Sequence, residues 1–240
     1  MEELVPELSL ARGIEQGPYH HLDVLDHILE TIRGIDRELD ERRLEARVDP
    51  DRVPALRVAA LLHDIAKPLT RGESDGRIIF VAHDSLGARL AHRVCRRLGL
   101  SAAVTDLAVN LTALHLKIGF MGNPRSDHPP ERLIKAAGPF GEELAVLCWS
   151  DRLAAQGPRL KPEHIERHRE LCAEFLTLYR KAADGQNPDY EDLAKQLQLD
   201  NAADAGYAAS RVRALEARGL GAREAVRQAR GPLSKLSAGG

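Results

Sequence analysis

The pair His63–Asp64 constrains this chain more than any other feature. In VPALRVAALLHDIAKP the apolar run ends at Leu62 and passes directly into an imidazole and a carboxylate. Neither group is cheap to bury without a partner. The conflict recurs elsewhere. His27 shares an apolar face with Val24 and Ile28, and His83 opens a later helical segment beside Asp84. His115 lies one turn beyond Leu111 in LTALH, and Asp151 one turn beyond Leu147 in AVLCWSDRLAA. A fold that buries these faces must give the polar groups partners.

The faces themselves read as helix. HLDVLDHILETIRGI places Leu22, Leu25, Ile28, Leu29 and Ile32 at helical spacing. VPALRVAALLHDIA is a second helix with Pro54 in its first turn. DSLGARLAHRVCRRLGL and SAAVTDLAVNLTALHLKI follow, the latter with Ser101 as N-cap. PPERLIKAAG and GEELAVLCWSDRLAAQG each close on glycine, and KPEHIERHRELCAEFLTLYRKAAD is a long amphipathic helix. Between them, TRGESDGRIIFVAH breaks the period, and RIIFV is at best a short extended run. MGNPRSDHPP is a loop, and GQNP is a polar break before shorter helices and a loose end. Aromatics make up only 4% of the 240 residues, which argues against an all-β fold. The expectation is an all-α domain over residues 1–183, followed by a small helical appendage over 184–240.

Charge is unevenly spread beneath a net −2. Residues 1–51 carry six arginines against fourteen acidic residues, whereas 206–240 carry six arginines and one lysine against two acids. The basic tail suits contact with an anionic partner such as RNA, or simply an exposed helix face. Cys95, Cys148 and Cys172 form neither a CxxC pair nor a disulfide framework, so a reducing cytoplasm is expected. The acidic N-terminus lacks a signal-peptide pattern, and no apolar run is long enough to cross a bilayer. Nothing in the sequence speaks to oligomeric state.

Each inward polar group is an imidazole or a carboxylate, and Lys67 is the one cation facing them. Converging in a core, such groups are costly unless a divalent cation binds them. Imidazole plus carboxylate without thiolate suits one or two ions of iron, manganese, cobalt, nickel or zinc.

The order His27, His63-Asp64, Asp151 resembles the H…HD…D signature of the HD superfamily of metal-dependent phosphohydrolases. His83 and His115 match members that hold two metals. The resemblance implies a helical bundle in which His27, His63, Asp64, His83, His115 and Asp151 ring the metals, with Asp64 reaching both. LLHDIAKPLTR, GRIIFVAHDSLGARLA and RRLGLS, over roughly residues 18 to 157, are similar to the HD region of bacterial tRNA nucleotidyltransferases, the CCA-adding and poly(A) polymerase group. Departures are Ala66 for a usual glycine and Asp84 for a usual glutamate. A transferase domain would precede the HD region, and seventeen residues precede Pro18, so this chain is not expected to add nucleotides.

The expected chemistry is hydrolysis of a nucleotide phosphomonoester or phosphodiester, with 2′,3′-cyclic nucleotides as one case. Asp64 and Lys67 are the catalytic candidates, and Lys67 and Asp84 the substrate-binding ones. Lys67 would reach a phosphate oxygen or else serve as a surface cation at a helix end. Asp84 would orient water or pair with Arg89. The rival reading is a non-catalytic RNA-binding accessory module with a structural metal. His20 and His21 are expected at a helix entry or the pocket mouth, and Trp149 in the core. His164 and His168 in HIERH lack the HExxH pattern and are expected on a solvated face. His92, among Arg89, Arg93, Arg96 and Arg97, belongs to a solvated face or a basic patch.

Overall fold

The computed structural model describes residues 3–121, 123, 129–182 and 187–234. Most of the expected loop after Met121, the start of the polar break after residue 182 and the loose end from 235 lie outside these residues.

The helical spacing is realised as α1 (Val24–Glu41), α2 (Val53–Leu62) and the single turn α3 (Lys67–Thr70). These are followed by α4 (His83–Arg97), α5 (Ala102–Leu114), α6 (Pro130–Ala137), α7 (Gly141–Ala155) and α8 (Pro162–Ala182). Further on lie α9 (Tyr190–Leu197), α10 (Ala202–Ala217), α11 (Ala222–Ala229) and the short α12 (Gly231–Ser234). The caps follow their side chains. Asp23 accepts from the Asp26 amide at 2.8 Å, and Ser101 accepts from the Val104 amide at 3.3 Å.

RIIFV is better ordered than its sequence suggests. β1 (Arg71–Ser74) and β2 (Arg77–Phe80) pair antiparallel, Arg71 opposite Phe80 and Ser74 opposite Arg77. Asp75 and Gly76 both take positive φ, 51° and 67°. That is the mirror-image turn which Asp-Gly favours in two-residue hairpins.

Helix α5 is the centre of the bundle. It runs between α2, α4 and α10, while α1 lies along α7. One apolar cluster joins Leu56, Leu107, Leu111, Leu144, Leu147 and Phe175 to Leu193, Leu197 and Tyr207. Helices beyond residue 183 therefore share their core with those before it. The approach of α10 to α5 is close enough to need Gly206, where a Cβ would fall 2.2 Å from the Ala102 carbonyl oxygen.

Some of the basic tail turns inward. Arg213 donates to both oxygens of Asp106, a carboxylate with no solvent exposure, at 2.8 Å to Oδ2 and more closely to Oδ1. Tyr190 donates to the same Oδ2 at 3.0 Å. This group ties α5 to α9 and α10. Arg227 pairs with Glu224, and Arg230 donates to Gln198.

Removing the guanidinium strands a buried carboxylate. Arg213→Ala is expected to lower the unfolding free energy by about 3–5 kcal/mol, read from the denaturant midpoint. Unchanged stability would show that Asp106 has no need of its partner.

Candidate metal centre

Local helix endings present the polar side chains. His63 is the C-terminal cap of α2, His115 that of α5, and His83 the first residue of α4. Each bends its ring back to a carbonyl three residues earlier. His63 Nδ1 lies 2.7 Å from Ala60 O, His83 Nδ1 2.7 Å from Phe80 O, and His115 Nδ1 2.8 Å from Thr112 O. A carbonyl only accepts, so each Nδ1 carries a proton and each Nε2 is directed elsewhere. For His83 the bond spans a sharp corner at Ala82, whose φ is +58°.

All three Nε2 atoms aim at Asp64. His63 Nε2 is 3.1 Å from Oδ2, whereas His83 and His115 Nε2 are 3.4 and 3.6 Å from Oδ1. His27, in the first turn of α1, places Nε2 3.4 Å from Asp64 Oδ2 and 2.8 Å from Asp151 Oδ1 on α7. Asp64 is 1% exposed and His27 and His63 are fully buried. The Asp64 oxygens and the Nε2 atoms of His63, His83 and His115 are buried without a well-aligned hydrogen bond. Ring nitrogens fixed by backbone carbonyls, with their other nitrogens turned on a shared carboxylate, are the arrangement that metal-binding histidines adopt.

The donors fall into two sets with one shared member. His27, His63, Asp64 and Asp151 form one, and Asp64, His83 and His115 the other, the ligand atoms of each lying within 4.8 Å of one another. The set is nitrogen and carboxylate oxygen without sulfur, as the sequence suggested, and it fits divalent transition metals. Oδ2 of Asp64 faces the first set and Oδ1 the second, so one carboxylate spans both.

Charge in the site is already polarised. Burial raises the Asp64 pKa, but His63 and Lys67 outweigh it and hold the carboxyl well below its usual range. Burial likewise opposes ionisation of Asp151, and the hydrogen bond from His27 overcomes it. Burial depresses the His63 pKa, yet the Asp64 charge carries it above its ordinary value. Lys67 is 6% exposed, with Nζ 2.6 Å from Asp64 Oδ2 and 2.5 Å from Gln16 Oε1. It is an interior cation of the site and not a surface one.

A pocket of about 400 Å³ opens onto this centre. The buried Asp64, Lys67, His83 and His115 form its floor with Asp151, and the half-buried hairpin residues Ile78, Ile79 and Phe80 line it together with His20 and Arg152. His20 stands edge-on to His27 with ring centroids 5.0 Å apart. Burial, then the charge of Lys67, push its pKa down to about 3, so the ring is neutral at neutral pH. The strap bearing it is pinned by Gly157, whose amide donates to Tyr19 O at 2.9 Å. A Cβ on Gly157 would lie 2.2 Å from the Tyr19 carbonyl carbon.

Asp84 sits elsewhere. Its carboxylate is bound by Lys117 at 2.7 Å and by the Ser85 amide at 2.7 Å, and it lines a neighbouring cleft. Its cation is Lys117, not Arg89, because α5 ends opposite the start of α4. The HIERH expectation needs correcting in half. His164 is exposed, but His168 is buried and its Nε2 donates to Cys148 O at 3.1 Å. His92 is not part of a solvated face either: it bonds Asp204 at 2.7 Å and stacks on Tyr207. Trp149 is in the core, as expected. Arg152 and Gln16 were not singled out from the sequence. The adjacency of Arg152 to Asp151 was its only signal, and Gln16 had none.

Comparison with known proteins agrees with this geometry. A family model described as HD domain matches residues 24–156. An A-adding tRNA nucleotidyltransferase from Deinococcus radiodurans is 35% identical over 156 residues, 64% of this chain and 33% of the relative. A CC-adding tRNA nucleotidyltransferase from Thermus thermophilus is 29% identical over 175 residues, 72% of this chain and 37% of the relative. A bifunctional uridylyltransferase/uridylyl-removing enzyme from Nitrobacter winogradskyi is 34% identical over 115 residues, 45% of this chain and 11% of the relative. The chain thus spans well under half the length of each of these relatives.

Purified without chelator, the protein is expected to carry at least one transition metal per chain by elemental analysis. Asp64→Ala should lose most of it, and His83→Ala with His115→Ala only the share held by the second set. Affinity should weaken as pH falls, since His63 holds its proton more tightly than an ordinary imidazole of pKa 6.5 and must release it to the metal. Full occupancy in Asp64→Ala would remove the assignment.

Proposed function

This chain belongs to the HD domain family, and on that premise we propose that it is a metal-dependent phosphohydrolase acting on a nucleotide phosphomonoester or phosphodiester, 2′,3′-cyclic nucleotides included. The observation that carries the reading is the single carboxylate of Asp64 shared between two donor sets at the floor of an open pocket. His27, His63, Asp64 and Asp151 would hold one ion, and Asp64, His83 and His115 a second. Bound there, divalent metal supplies Lewis acidity, which activates water near neutral pH and stabilises charge developing on phosphoryl oxygens.

The chain's own residues do the rest. Lys67 brings a buried positive charge to the pocket floor, where a phosphate oxygen would meet it at low dielectric. Its ammonium also lies 5.4 Å from the Phe80 ring centroid, so that wall and that cation are held together. Phe80, with Ile78 and Ile79, offers an apolar face against which a nucleobase can stack. Arg152 lines the pocket next to Asp151 and would attract an anionic substrate. His20, kept neutral, can hydrogen-bond a sugar hydroxyl without adding charge. The site thereby runs from a charged, metal-binding floor to an apolar wall, which suits a phosphate carrying an organic group. A cytoplasmic setting accords with three buried, unpaired cysteines, Cys95, Cys148 and Cys172. No helix among the described residues is long and apolar enough to cross a membrane.

The test is a panel of nucleoside 2′-, 3′- and 5′-monophosphates and 2′,3′-cyclic nucleotides, each with manganese, cobalt or nickel. Hydrolysis that chelation stops is expected. Asp64→Ala should reduce turnover by orders of magnitude, and Lys67→Ala by about ten- to a hundredfold in kcat/KM, roughly 1.4–2.8 kcal/mol. If wild type and Asp64→Ala are equally inactive throughout, while the protein binds RNA with steep salt dependence, the RNA-binding accessory module replaces the enzyme.

A further inference from the structure

The metal pocket has a neighbour. A second hollow of about 440 Å³ is lined by Gly17, Pro18, Asp75, Gly76, Arg77, Ile78 and Arg159. Ile78 lines both hollows, so they adjoin across one side chain. Two arginines line the second hollow from different segments. Arg77 begins β2, directly after the Asp75-Gly76 turn, and Arg159 lies in the segment between α7 and α8.

Many exposed arginines of this protein are neutralised. Arg37 pairs with Glu30, Arg57 with Asp36, Arg97 with Glu7, Arg169 with Glu166 and Arg180 with Glu142. Arg77 and Arg159, by contrast, have no side-chain ion pair among the described residues. Asp75 is the acidic group in the hollow, which leaves a net positive charge.

Both cations stand on supported backbone. The hairpin fixes Arg77 opposite Ser74. The Arg159 amide donates to Pro18 O at 3.0 Å, next to the Gly157–Tyr19 bond that holds the His20 strap. An anion between them would therefore meet guanidiniums whose backbone is already placed, which limits the ordering cost of binding. Guanidinium donors match phosphate in geometry as well as charge.

We propose that Arg77 and Arg159 form a subsite for a second phosphate, and that the substrate of the metal centre is a short single-stranded oligonucleotide in preference to a mononucleotide. The proposal rests on the phosphohydrolase reading for what happens at the metal, but not for the binding itself. The scissile phosphate lies over Asp64 and Lys67, the base beside it packs on the hairpin wall, and the next phosphate along the strand crosses Ile78 to the two arginines. Each hollow is of a size that holds one nucleotide unit.

The experiment measures binding and turnover separately on the manganese-loaded full chain. Fluorescence anisotropy with a labelled, phosphorothioate-linked tetraadenylate reads affinity without hydrolysis. In Arg77→Ala/Arg159→Ala the affinity should fall ten- to a hundredfold, and the slope of log K against log salt should shrink by about 0.7, for the one phosphate charge left without its arginines. Arg77→Lys/Arg159→Lys should recover part of the loss, and Asp75→Asn should tighten binding. Metal content equal to wild type certifies the fold of each variant. In turnover, the preference of wild type for tetraadenylate over AMP should drop by the same factor in the alanine variant. Unchanged affinity and salt slope in that variant, or equal affinity of wild type for AMP and tetraadenylate, would overturn the subsite. Arginine-dependent binding without any hydrolysis would leave the subsite standing and remove the phosphohydrolase. Hydrolysis of mononucleotides with arginine-independent tetraadenylate binding would do the reverse.

Discussion

A buried carboxylate surrounded by four imidazoles and one ammonium is the interaction on which the rest of this structure depends. Asp64 is 1% exposed, yet it stays ionised because His63 and Lys67 stabilise its charge more than burial opposes it. Such a group is tolerable only where several elements deliver compensating charge to one point. α1 brings His27, the end of α2 brings His63, the start of α4 brings His83, and the end of α5 brings His115. Those helices could not be repacked independently without stranding a polar group in the core. The bundle is in this sense organised by its polar centre as much as by the leucines around it.

Precision in the centre arises at two levels. Ring orientation is local: three histidines sit at helix ends and bond the carbonyl three residues before them. Because the last carbonyls of α2 and α5 have no helical partner, a histidine there both satisfies the backbone and sets its own tautomer. Convergence is not local. It follows from α5 lying between α2 and α4, and from α1 lying along α7. The same division applies at the mouth, where the Asp-Gly turn shapes the hairpin but Gly157 decides where the His20 strap crosses it.

On the proposed reading, selectivity would lie in the residues around the metal ligands and not in the ligands themselves. Metal ligands of this kind can serve any phosphate ester, whereas the hairpin wall, Arg152 and the adjoining pair Arg77 and Arg159 differ in what they accept. With an apolar wall and arginines beside it, the proposed substrate would be an extended anion with flat apolar groups and not a small inorganic one. On this reading, the choice of substrate would rest on the hairpin, the turn after α7 and Arg152 of α7 itself.

Much of the helical framework and the candidate ligands was legible in the sequence, since a histidine or aspartate on an apolar helix face is an anomaly that spacing exposes. α1, α2, α4, α5 and α7 lie where the apolar period places them, and the six candidate ligands fall into two touching sets. Polar residues away from that centre were not legible in the same way. His92, His168 and Asp84 carry the same side-chain types, but their partners Asp204, the Cys148 carbonyl and Lys117 come from distant positions or from backbone. The inward turn of Arg213 toward Asp106 was hidden for the same reason, as a basic residue in a basic tail gives no sign of a buried partner. Sequence alone determined which residues interrupt the apolar faces and how each helix ends, because periodicity and end geometry are set by neighbours a few positions away. Only the tertiary structure decided which of those polar groups meet, because a charge compensated in the core needs partners that the chain brings from far along its length.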